Sequence, residues 1–131
     1  MNKQIADRAV VLGGSLAGLL AARVLADAYA QVTVIDRDEL PQAHVHRRGV
    51  PQGRHIHGLL ARGQQGLEEL FPGLTAGLVA CGVPAGDVLA DVRLYLSGHR
   101  LRQAPTGLVV LSASRPVLEG HVRARVRALP T

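Results

Sequence analysis

Gly13, Ser15 and Gly18 follow a short apolar run, Ala9 to Leu12, and Asp36 closes a second such run, Val32 to Ile35. Each has a separate physical use. A glycine at 13 permits a tight turn, a small residue at 15 lets a phosphate approach the backbone, and a glycine at 18 lets a helix lie close on a strand. Ser15 stands where glycine is usual: its Cβ takes space from a phosphate oxygen, while its hydroxyl is a donor and a helix-cap candidate. A helix beginning near Leu16 would aim unpaired N–H groups and the positive end of its dipole at an anion. Asp36, 18 positions after Gly18, could accept both hydroxyl protons of an adenosine ribose and would repel a 2′-phosphate, which speaks against NADP at this site.

A strand, a helix and a second strand would carry these residues. Both apolar runs suit parallel strands covered on both faces. The helix, from about Leu16 to Ala28, keeps Leu20, Val24 and Ala28 in register with Ala17 and Ala21 beside them, a narrow face of small residues expected to lie on the sheet. Residues 1–7 are a polar lead-in. Pro41 ends the second strand, and His44 to His57, rich in Gly, Pro, Arg and His, reads as an exposed loop running beside a ligand. Helices are expected from about His57 to Leu70, with Leu60, Leu67 and Phe71 on one face, and from Leu74 to Ala80. Val88 to Leu96 and Arg100 to Gln103 resemble the arms of a hairpin around Ser97-Gly98-His99, and Leu108 to Leu111 reads as a third strand parallel to the first two. Ser114 and Pro116 start a last helix, with Leu118, Val122, Val126 and Leu129 buried and Arg123, Arg125 and Arg127 on a solvated face. The fold class is therefore α/β: a Rossmann-like parallel sheet built on a βαβ dinucleotide-binding unit, plus a small β-hairpin, with residues 1–131 forming a single domain.

Composition narrows the function classes. The 131 residues are 47% hydrophobic, which excludes a disordered chain, and carry a formal charge of +5. Fourteen of the 15 cations are arginines scattered along the chain and only three residues are aromatic, so a base-stacking surface is not expected and nucleic-acid binding ranks lowest among the readings. The single Cys81 fits a reducing compartment. Every apolar stretch is interrupted well short of a membrane span and the N-terminus has no apolar signal core, so no membrane partner and a cytoplasmic location are expected.

Four stretches carry a family resemblance: Val10-Val11-Leu12-Gly13-Gly14-Ser15-Leu16-Ala17-Gly18-Leu19, Val34-Ile35-Asp36-Arg37, Arg48-Gly49-Val50-Pro51-Gln52-Gly53, and Ser114-Arg115-Pro116-Val117-Leu118-Glu119. Together they make the chain similar to the N-terminal part of an FAD-dependent monooxygenase or oxidoreductase of the para-hydroxybenzoate hydroxylase type. The resemblance implies that Gly13, Gly14, Ser15 and Gly18 form the FAD pyrophosphate turn and Asp36 holds the adenosine ribose. It implies that Arg37 lies along the adenine side, Arg48 approaches the flavin and Arg115 stands beside the cofactor. It further implies a nicotinamide, NADH or NADPH, as electron donor and a small organic substrate; no catalytic residue can be assigned. The family's later Asp-Gly motif is absent, Gly86-Asp87 falls ahead of the hairpin rather than where the family's Gly-Asp motif belongs, and the substrate-binding sheet is missing. The chain is thus expected to be an incomplete FAD-binding domain that holds the adenosine half of the site.

Two other readings compete. An NAD-binding Rossmann module of a dehydrogenase or regulator explains the glycine turn and Asp36, but neither Arg48 nor Arg115. A metal site from His44, His46, His55 and His57 has the ligand types, yet no cysteine is near and prolines break the loop; no metal is expected.

Overall fold

In a computed structural model, residues 5–42 and 44–130 are described; the first four residues of the lead-in lie outside them. The chain is mixed α/β and divides into two compact units, Met1–His55 with Ser114–Thr131, and Ile56–Ala113.

The first unit contains β1 (Ala6–Leu12), α1 (Leu16–Leu25), β2 (Tyr29–Ile35), a 3-10 turn (Pro51–Arg54) and, from the far end of the chain, α4 (Arg115–Arg127). β1 and β2 pair in parallel from Ala6 opposite Tyr29 to Leu12 opposite Ile35, with α1 as the crossover. α1 packs on both strands and on α4, but the strands are not covered on both faces as expected: with α1 on one side only, Val10, Leu12 and Ile35 are 60%, 81% and 52% exposed. The rotation of α1 differs from the expected one. Leu19 and Ala22 are buried, whereas Val24 is 54% exposed and Ala17 and Ala21 face outward. Gly18 sets this rotation: a Cβ there would lie 1.7 Å from the Gly13 carbonyl oxygen, so this bare position must face the turn, and Leu19 and Ala22 follow it inward. In α4, Leu118 and Val122 are fully buried as expected, but Val126 and, just beyond the helix, Leu129 are only half-buried, while Glu119, Gly120 and Arg123 are buried as well. Arg123 therefore does not belong to a solvated face; Arg125 and Arg127 are exposed.

The second unit contains α2 (Ala61–Leu70), α3 (Leu74–Ala80), β3 (Ala85–Asp87), β4 (Tyr95–Leu96), β5 (His99–Arg100) and β6 (Val109–Leu111), around a core of Leu67, Phe71, Leu74, Leu78, Val83 and Leu111. The helix expected from His57 begins only at Ala61, and Leu60, expected on its buried face, precedes it and is 70% exposed. β6 pairs antiparallel with β3, not in parallel with β1 and β2, which form a two-stranded sheet of their own. The hairpin exists with two-residue arms, β4 and β5, turning at Ser97 and Gly98, both at positive φ as a tight two-residue hairpin turn requires. Its first arm does not extend back to Val88 because the Asp87 carboxylate accepts hydrogen bonds from the Leu89 and Ala90 amides and turns the chain there.

Candidate functional site

The site lies within the first unit, where β1 ends and α1 begins. Gly13 takes φ 102°, a conformation that glycine adopts freely, and its amide donates to the Ile35 carbonyl at 2.7 Å, tying the turn to the end of β2. A Cβ on Gly13 would meet nothing within 4 Å, so the mouth of the turn is open. In front of it lies a hollow of about 470 Å³, lined by Gly13, Ser15, Asp36, Arg37, Arg47 and Gly49 among others. No side chain caps α1 at Ser15, and its first turn carries no acidic residue. The first amides of α1 are therefore not taken up by a side-chain cap.

Asp36 stands directly after β2 and turns back onto the glycine turn. Its Oδ2 accepts the Gly14 amide at 2.5 Å, and its Oδ1 accepts the Asp38 amide at 2.8 Å and Nη1 of Arg47 at 3.3 Å. The Asp38 amide, then the Gly14 amide, and then the Arg47 charge hold its carboxyl below the usual range against the opposing effect of burial. A carboxylate offers about four acceptor sites. Three are taken, so one on Oδ2 is left over, rather than the two that the sequence reading required.

Ser15 points its hydroxyl away from a capping role. It donates to Oε2 of Glu119 at 3.1 Å and accepts from Nη2 of Arg115 at 3.3 Å. Arg115 thereby reaches the turn from the start of α4, and its Nε is buried without a hydrogen-bond partner. Arg37 is exposed and lines both this hollow and a neighbouring one of about 440 Å³. Arg48 is exposed and lines only the neighbouring hollow among these two. The structure thus gathers Gly13, Gly14, Ser15, Gly18 and Asp36 at one turn, links Arg115 to it through Ser15, and leaves Arg37 and Arg48 on the outside.

Sequence reasoning missed Arg47, Asp38, Glu119 and Arg123. The loop from His44 to His57 is not wholly exposed: Arg47 and Val50 are 8% and 6% exposed. Arg47 donates through Nε to Oε1 of Glu119 at 2.9 Å, and its Nη1 lies 3.5 Å from the Asp38 carboxylate. Asp38 also accepts the Gly49 amide at 2.6 Å, closing the loop on itself. Arg123 donates to Glu119 at 2.9 Å and to the Pro41 carbonyl at 2.8 Å, and Arg127 donates to the Leu40 carbonyl at 2.5 Å, so α4 grips the chain leaving β2. The same loop lays the His44 ring 4.6 Å from that of His121, over Gly120, where a Cβ would collide with the imidazole at 2.2 Å. His44 stays exposed overall, yet partial desolvation foremost, then the nearby His121 and Arg123, lowers its pKa. One signal could have exposed this network. Arg115, Glu119 and Arg123 recur every four residues on α4, immediately beside the buried Leu118 and Val122.

Among the described residues no group of three or more His, Cys, Asp or Glu could hold a metal ion, and no helix is long and apolar enough to cross a membrane. The hollow's open turn, uncapped helix start and adjoining carboxylate fit an adenosine diphosphate group.

No family model matches the chain. It is similar to Protein Rv3254 of Mycobacterium tuberculosis, with 50% identity over a 131-residue alignment that takes in 94% of this chain and 27% of that protein. The chain thus spans about a quarter of the length of the curated relative it matches.

Proposed function

We propose that this chain forms the adenosine-binding part of an FAD site in a flavin-dependent oxidoreductase, of monooxygenase type, acting in the cytoplasm on a small organic substrate with a nicotinamide as electron donor. In this reading β1, α1 and β2 are the opening crossover of a Rossmann-like, incomplete FAD-binding domain. The observation that carries it is the closure of Asp36 on the Gly14 amide beside an open, positive-φ glycine turn, which supports a ribose acceptor beside a phosphate-binding turn. Bound FAD would supply the redox chemistry. The residues of this chain would bind and orient its adenosine half. The turn at Gly13 and the start of α1 would face the diphosphate, Ser15 would add a hydroxyl backed by the Arg115 guanidinium, and Asp36 would receive a ribose hydroxyl. An NAD module would use the same turn and acid but gives Arg115, linked to Ser15, no distinct task.

Titration with FAD and riboflavin phosphate tests the reading. Asp36→Ala should weaken FAD by about tenfold to a hundredfold, the worth of one hydrogen bond to a charged acceptor, and leave riboflavin phosphate nearly unchanged. Equal losses for both ligands would reject the ribose role.

A further inference from the structure

We infer that Glu119 is a positioning residue that divides the arginines of this site between ribose and phosphate; this rests on the proposed adenosine-diphosphate site. Glu119 sits in the middle of α4, 3% exposed, with its two oxygens turned to different partners. Oε1 receives Nε and Nη2 of Arg47 and Nη2 of Arg123, each at 2.9 Å. Oε2 receives the Ser15 hydroxyl at 3.1 Å and stands 3.7 Å from Nε of Arg115.

Arg47 is thereby fully committed. Its guanidinium bridges Glu119 to the Asp36 carboxylate at 3.3 Å and approaches the Gly14 carbonyl at 3.5 Å, so α4 reaches the ribose acceptor and the turn through a single planar fork. Arg115 is the opposite case. It is held by a long contact, has a buried Nε without a hydrogen-bond partner, and donates to the hydroxyl at the turn. A diphosphate arriving at that turn meets the Ser15 hydroxyl, to which Nη2 of Arg115 donates from behind, while the donors of Arg47 are already engaged. Glu119 fixes both assignments, orienting Asp36 through Arg47 and competing weakly with phosphate for Ser15 and Arg115.

The prediction separates the two halves of the ligand. The full 131-residue chain and its E119Q variant are titrated with ADP, 2′,3′-dideoxy-ADP and inorganic pyrophosphate. The unaltered chain should prefer ADP over the dideoxy form by about tenfold, one hydrogen bond to a charged acceptor. In E119Q that preference should fall to about twofold or less, because Arg47 no longer holds Asp36 in place, while pyrophosphate binds as well or better. Equal weakening of all three ligands, or an undiminished ribose preference, overturns the inference. If the unaltered chain itself shows no ribose preference, the proposed adenosine site fails and the role of Glu119 falls with it. Arg47→Lys covers the case in which E119Q does not fold. A lysine keeps the charge but cannot span Glu119 and Asp36 together, so the ribose preference should drop in the same way, and its survival overturns the inference.

Discussion

Asp36 and Asp87 are alike in sequence setting and opposite in use. Each stands at the carboxyl end of a short strand, Asp36 directly after β2 and Asp87 as the last residue of β3. Each gathers backbone amides, and in each the carboxyl is held below its usual range, Asp87 by the Ala90 and Leu89 amides first. Asp87 spends everything on its own loop. Its Oδ1 accepts from the Leu89 and Ala90 amides and the Thr106 hydroxyl, and its Oδ2 accepts from the Thr106 and Gly107 amides at 2.8 and 2.7 Å. Asp36 stops at three donors and borders a hollow. A depressed carboxyl pKa is therefore no sign of a site by itself; the difference lies in whether an acceptor is left over and whether open space faces it.

The largest effect is expected at Gly18. A methyl there would lie 1.7 Å from the Gly13 carbonyl oxygen, so Gly18→Ala must displace the turn on which Asp36 depends. ADP binding should fall by a factor of about a hundred or more, equivalent to roughly 3 kcal/mol, and calorimetric titration showing unaltered affinity would separate the turn from the ligand. Next comes Asp87→Asn, which places an amide among donors that need an acceptor. Its melting temperature should drop by several degrees and the Leu89, Ala90 and Gly107 amides should exchange faster, with ADP affinity unchanged. Weaker ADP binding would mean that the two carboxylates do not divide structure from binding.

The smallest effect is the pH dependence, and its sign is fixed. For a carboxyl whose folded pKa is depressed, the stabilisation is fully present above the unfolded value, 3.8, and is lost as pH falls through the folded one. Acid unfolding followed by circular dichroism should thus show a decline below about pH 4 that Asp36→Asn and Asp87→Asn each make shallower. An unchanged acid limb in both variants would dissociate these carboxylates from acid stability.

The parts of the fold legible in the sequence were those written in local spacing. The β1–α1–β2 crossover and the separation of Gly18 from Asp36 follow from runs and turns within 30 residues or so, and the last helix follows from Ser114 and Pro116. What escaped was set by contacts between distant segments. Arg47 and Arg48 are equivalent in composition, and only the position of Glu119, 72 residues after Arg47, selects Arg47 for the interior. The rotation of α1 is decided by the Gly13 carbonyl against Gly18, not by the apolar register of Leu20 and Val24. Val88 to Leu96 alternates as a strand should, but the Asp87 side chain outcompetes the extended ladder for its amides. The antiparallel choice of β6 depends on β3, a three-residue strand with a glycine in its middle and no pattern to read.

Gly120 shows what a missing side chain can specify. In the interior of a helix, alanine would be favoured over glycine by about 1 kcal/mol, so α4 gives up helical propensity at that position. In return it offers a socket for the imidazole of His44, three residues ahead of Arg47. A better helix former at 120 would strengthen α4 and, by evicting that ring, unseat the strap that delivers Arg47 to Asp36.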